Sequence, residues 1–161
     1  GLETKIVDVE AYAVERAFQL MVDSLPGQPQ HVALIDIGHS QTTLYIAKDG
    51  EFVYSREQLF GGAQLTESIQ SRYGLTFEEA MINKRTLSLP DDYYTEYILL
   101  GGGSASIPGL ASMVEQKLGT RTGIANAFSN MTINNHINTE LLIMDAPSLI
   151  AACGLALRSF D

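Results

Sequence analysis

Ile35-Asp36-Ile37-Gly38-His39-Ser40-Gln41-Thr42-Thr43 decides how this chain is read. An aspartate closes one apolar run, a glycine and a serine make a short turn, and threonines open the next run. Val32 to Ile37 and Thr42 to Ala47 therefore read as two strands of a hairpin, and Phe52 to Ser55 as a third, turned at Asp49-Gly50. Such a turn exposes successive backbone N–H groups together with the Ser40 and Thr42 hydroxyls, and Gly38 keeps the concavity free of a Cβ, an arrangement that suits phosphate oxygens. Asp36 has the chemistry to hold a water of a Mg²⁺ ion, which takes few carboxylates and keeps several waters. The same residues also suit a polar hairpin that only satisfies its own turn.

Downstream, Tyr97 to Leu100 reads as a buried strand ended by Gly101-Gly102-Gly103-Ser104. Ser106 is the expected cap of a following helix with Leu110, Val114 and Leu118 on one face. Glycines here let a flat base or ribose approach, or simply turn the chain. A P-loop would need Gly-Lys-Ser/Thr, yet no Lys follows until Lys117; a dinucleotide fingerprint would need glycine where Ser106 stands. Between the two motifs, Gly61-Gly62 precedes a helical pattern through Leu65, Ile69 and Tyr73. A capping box, Thr76 with Glu79, then opens a helix to Lys84. That lysine can place an ammonium near a ribose or phosphate, or merely complement a helix end.

Around this centre, Ile6 to Val9 reads as a strand end and Glu10 to Met21 as a helix with Val14, Ala17, Phe18 and Met21 at helical spacing. Leu25 to Pro29 is a connector, Thr122 to Ala125 a short strand, and 126–140 a loop. Asp145-Ala146-Pro147 is expected to open a helix to about Arg158, with Asp145 as N-cap.

Composition narrows the function classes. The 161 residues, 45% hydrophobic, can bury a core as one domain or two small lobes. A net charge of −9 with scattered lysines and arginines argues against nucleic acid as a partner. Cys153 is the only cysteine, so no intramolecular disulfide forms and a reducing compartment is expected. The apolar run Leu149 to Leu157 is too short to span a bilayer. The start, Gly-Leu-Glu-Thr-Lys-Ile-Val-Asp, lacks the features of a signal peptide and reads as a cut through a longer chain. His31, His39 and His136 lack ligand spacing, and Ser104 has no identifiable base, so neither a metal centre nor nucleophilic catalysis is supported.

The order of these features resembles the second half of the actin-like ATPase superfamily: second phosphate loop, Lys-bearing helix pair, adenosine loop, second connecting helix. Val7 to Ala17, Arg56 to Gly62 and Ala152 to Phe160 are most similar to the PilM family of type IV pilus assembly, relatives of the division protein FtsA. The resemblance implies an α/β, actin-like (ribonuclease H-like) fold with a mixed sheet flanked by helices. Residues 1–30 would belong to a first lobe, 31–125 to a second, and 126–161 would return to the first. It implies ATP or ADP with Mg²⁺ at Asp36, Gly38, Ser40, Thr42, Gly61, Gly62, Lys84, Gly101, Gly102, Gly103 and Ser104, a site incomplete without the family's N-terminal half. It also implies a cytoplasmic scaffold without a membrane span, held at the inner membrane through partners: the cytoplasmic N-terminal peptide of PilN and the pilus inner-membrane and motor proteins. In two places the sequence departs from the pattern. Only Arg85 to Glu96 separate Lys84 from Tyr97, where the family has a long helix, and Met81 stands where FtsA-like members carry Glu. A small-molecule kinase of the same superfamily, an FtsA-like division protein and a nucleotide-free interaction fold are the alternatives.

Overall fold

The computed structural model describes residues 3–62 and 95–158. The expected helices at 65–73 and 76–84, with Thr76, Glu79, Met81 and Lys84, lie outside them. Five strands form one mixed sheet: β1 (His31–Ile37), β2 (Thr42–Lys48), β3 (Glu51–Gln58), β4 (Tyr97–Gly101) and β5 (Arg121–Ile124). Their order is β3-β2-β1-β4-β5, with β2 antiparallel to both β1 and β3, and with β4 and β5 added parallel to β1. The first three strands are the expected meander. Asp49 (φ 53) and Gly50 (φ 86) both lie in the left-handed region that a two-residue hairpin turn of matching twist demands.

Burial follows position in the sheet. β1 and β2 are buried almost throughout because both faces are covered, whereas β3, at the edge, alternates and then becomes exposed. On one face, Val32, Leu34, Tyr45, Ala47 and Leu99 pack under α1 (Glu10–Val22) and α4 (Ile150–Ala156). On the other, Ala33, Ile37, Leu44, Ile46, Ile98 and Leu100 pack under Leu110 and Val114 of α2 (Leu110–Leu118). Phe18 of α1 is fully buried and lies 5.3 Å from Phe52, which stacks on Tyr45 at 4.8 Å. Each such side chain contributes about 1.5–3 kcal/mol of burial.

Four local expectations are corrected. Ile6 to Val9 form no strand, because none of the described residues supplies a backbone for them to pair with. Ser106 caps nothing. It ends the 3₁₀ turn η1 (Gly103–Ser106), its Oγ donates to the Met144 carbonyl at 2.9 Å, and α2 starts after Gly109 in a left-handed conformation. Leu118 is 54% exposed, in the last turn before Gly119 takes the chain out of α2 in a left-handed conformation. The helical run begins not at Asp145 but at Thr139, where Asn138 accepts the Leu141 N–H at 3.1 Å. Asp145 instead ends α3 (Thr139–Asp145), and the 3₁₀ turn η2 (Ala146–Leu149), with Pro147 in its first turn, joins it to α4. The stretch Thr139–Ala156 is long and apolar enough to cross a membrane, with a mean hydropathy of 1.4, but Ala146, Ile150 and Cys153 bury against the body of the protein.

α1 and α4 cross with almost no space between them. A Cβ on Gly154 would collide with the Ala13 carbonyl, so only glycine permits this approach. An ionic clamp sits beside the crossing: Asp8 receives the Arg16 guanidinium and Arg158 Nη1, the latter at 2.8 Å. Burial alone would raise the Asp8 pKa, but the Val9 N–H, Arg16 and Arg158 outweigh it and hold the carboxyl below its ordinary 3.8.

Gly154→Ala is expected to destabilise the protein by about 1–3 kcal/mol, the usual cost of overpacking, read as a lowered urea midpoint with unchanged slope. Asp8 contributes stability that is present in full above pH 3.8 and is lost as pH falls through its lower folded pKa. The Tm difference between wild type and Asp8→Asn should therefore close in strong acid, as thermal melts across pH 2–7 would show.

Candidate functional site

Parallel pairing of β1 with β4 aligns Asp36 with Gly101 and brings two turns to one end of the sheet. Gly102 (φ 80) lies directly against the Asp36 carboxylate, and a Cβ there would strike Asp36 Oδ1 and the Ile37 carbonyl. The β1–β2 turn is closed by the Gly38 N–H donating to the Gln41 carbonyl at 3.0 Å. Gly62 N–H in turn donates to the Gly38 carbonyl at 2.9 Å. Added Cβ atoms on Gly61 and Gly62 would stand 2.6 Å from the Gly38 carbonyl and 2.5 Å from Ser104 Oγ respectively. The three glycine-bearing turns named from the sequence thus meet, with Asp36 and Ser104 among them.

The remaining expected residues fall into three groups. Thr42 is 2% exposed and donates its hydroxyl to the Phe60 carbonyl at 2.6 Å, which seats the Gly61-Gly62 turn. Ser40 and Gly103 are exposed at the rim, and Gly103 has open space where a Cβ would be. Gly101 admits Ile150, whose Cδ1 would lie 2.6 Å from a Cβ there. Lys84 lies outside the described residues.

Several neighbours escaped sequence reading. Glu10, in the first turn of α1, acts electrostatically on Asp36 although the two are 26 positions apart. Thr43 and Tyr45 lie on the Asp36 face of β2, as the register Asp36↔Thr43 and Leu34↔Tyr45 requires. Period-2 alternation along β2 would have revealed both once the hairpin register was known. The Pro147 carbonyl accepts the Gly102 N–H at 2.7 Å and so ties the glycine loop to η2.

Burial, and then the like charge of Glu10, push the Asp36 pKa up to about 6. Burial and the same two carboxylates push Tyr45 up to about 12. Among the described residues no ion pair relieves Asp36. Nor do three or more His, Cys, Asp or Glu side chains gather there. Such an environment suits a hydrated Mg²⁺ with one or two carboxylates and outside oxygens, and does not suit a metal caged by protein ligands alone. In the ligand-free protein Asp36 is a cost: its unfolded form ionises first as pH rises above 3.8, and the penalty is complete above pH 6. Asp36→Asn should therefore raise stability at pH 7–8 by on the order of 2–3 kcal/mol, and by nothing below pH 3.5, in urea titrations at both pH values.

Known structures share this fold. The PilM–PilN type IV pilus biogenesis complex matches with a TM-score of 0.72 and 20% identity over 95% of this chain and 52% of that one. The ethanolamine utilization protein EutJ from Carboxydothermus hydrogenoformans follows at 0.58 and 18%, over 93% of this chain and 53% of its own. MreB5 of Spiroplasma citri bound to AMPPNP gives 0.61 and 16%, over 98% and 60%. The fold is therefore that of the actin-like ATPases, with the mixed sheet and flanking helices expected, and the chain spans 52–60% of the length of these proteins. The family model for the type IV pilus assembly protein PilM matches residues 1–97 and 94–160, and on that match the chain belongs to the PilM family of type IV pilus assembly proteins.

Proposed function

We propose that the full-length protein binds ATP or ADP with Mg²⁺ at the end of β1 and β4 and uses the bound state to present partner surfaces in pilus assembly. The observation that carries this reading is the convergence of the Gly38, Gly61-Gly62 and Gly102 turns on the half-buried Asp36 carboxylate. Three chain segments that give up side chains to approach one another, around an acid kept at a stability cost, are the mark of a ligand site.

In this reading the hairpin turn at Gly38 and Ser40 offers N–H and hydroxyl donors to the phosphates, and Thr42 holds the Gly61-Gly62 turn against them. Gly102, Gly103 and Ser104 flank the adenosine, and Lys84 approaches the ribose or phosphate. Mg²⁺ would neutralise phosphate charge and present a bound water to Asp36, with Glu10 as the second nearby carboxylate. Residues 31–125 form one wall of the cleft, while 1–30 and 126–161 connect it to the opposite lobe. A ligand that binds the closed form better than the open one shifts the population toward closure, and that is all an assembly switch requires. The partner we assign to the switch is the cytoplasmic N-terminal peptide of PilN, with further contacts to the inner-membrane and motor proteins, and the place of action is the cytoplasmic face of the inner membrane. The PilM–PilN complex among the similar structures supports the PilN assignment.

Calorimetry on the full-length protein tests the reading. ATP with Mg²⁺ is expected to bind with a submillimolar Kd, and Asp36→Ala to weaken it by about tenfold, or roughly 1.4 kcal/mol. The PilN peptide should still bind the variant. Absence of both ATP and PilN binding in the wild type would overturn the proposal.

A further inference from the structure

Asp8 is the buried acid that the nucleotide reading leaves unused. Its side chain is 8% exposed and is held from three directions. Oδ1 accepts the Val9 N–H at 2.8 Å, while Oδ2 receives the Arg16 guanidinium from the second turn of α1 and Arg158 Nη1 at 2.8 Å from beyond the end of α4. Arg16 uses its Nε as well, donating to the Gly154 carbonyl at 3.0 Å, so one guanidinium grips both the acid and the facing helix. The N-cap of α1 is Val9, which has no side chain to cap the helix. Asp8 and its two arginines are therefore what fixes the direction in which α1 sets out.

That direction matters because Glu10 follows two residues later, in the first turn, close enough for its charge to act on Asp36. The other end of the clamp also leads to the site. Arg158 follows α4, whose first residue, Ile150, fills the space over Gly101; η2, just before it, accepts the Gly102 N–H through Pro147. The clamp thus joins the two elements that reach the sheet end from opposite sides. A partly exposed ion cluster adds little net stability, but it is directional, and directional bonds suit an element that must hold an angle.

We propose that Asp8, Arg16 and Arg158 are positioning residues that, by tying the first turn of α1 to the end of α4, set where the Glu10 carboxylate stands beside Asp36 and so how a Mg²⁺–nucleotide is received. This rests on the nucleotide reading and adds to it three residues remote from the ligand. The clamp acts on the metal-dependent part of affinity, because Glu10, the carboxylate it places, serves the metal and not the phosphate or adenosine subsites.

The test uses the full-length protein and ATP, with Kd measured by calorimetry in saturating Mg²⁺ and in EDTA. Arg158→Met leaves Asp8 paired with Arg16, so the helix crossing survives. It should reduce the gain in affinity that Mg²⁺ confers by about fivefold and leave the EDTA value unchanged. Arg158→Lys, which keeps the charge, should recover part of the loss. In a Glu10→Gln background, where the carboxylate to be positioned is gone, Arg158→Met should cost nothing further. Equal weakening with and without Mg²⁺, no change in the Mg²⁺ gain, or full additivity with Glu10→Gln each overturns the clamp proposal while leaving nucleotide binding intact. Failure of the wild type to bind ATP in either condition overturns the nucleotide reading and the clamp proposal together.

Discussion

The parallel pairing of β1 with β4 is the constraint on which the rest of this structure depends. It joins strands more than sixty positions apart, from Val32↔Tyr97 to Asp36↔Gly101, and a parallel pair of this kind needs a long crossover to form. Once it is made, the carboxyl ends of both strands face the same way, and the turns that leave them occupy one crevice. Ligands of open α/β sheets bind at the carboxyl ends of the strands for this reason. A slip of one residue would carry Asp36 away from Gly102 and turn Leu34 and Val32 out of the α1 face, so the buried pattern of β1 enforces the site's register as well as the core.

Glycine then sets how closely the parts approach. At Gly102 the missing Cβ leaves room for the Asp36 carboxylate, and at Gly154 it lets α4 lie on the Ala13 carbonyl. These two positions stand at opposite ends of one helical unit, η2 with α4, which therefore spans from the glycine loop to the helix crossing.

Electrostatics sets two acids of this chain apart. Asp8 is surrounded by donors and cations and sits below its ordinary pKa, whereas Asp36 has burial and Glu10 working against its charge and sits well above. The first kind serves the fold. The second is held at a cost in stability, the kind of environment that clusters at functional sites, and it marks the crevice more sharply than the glycines do.

Much of this was legible from local sequence. The meander of β1, β2 and β3, the Asp49-Gly50 turn, the core stripe of α1 and the strand before Gly101-Gly102-Gly103 follow from alternation, helical spacing and turn chemistry, all of which act within a few residues. The order of the motifs also carried the family. What local pattern did not determine were the helix boundaries near Ser106 and Asp145, because the Met144 carbonyl that takes the Ser106 hydroxyl and the body that buries Ala146 and Ile150 come from elsewhere in the chain. The same holds for Glu10, Thr43, Tyr45 and Pro147 at the site, and for the Asp8 clamp. Each acquires its role from a neighbour brought up by packing, since burial and charge proximity are properties of the folded surroundings and are absent from the residue taken alone.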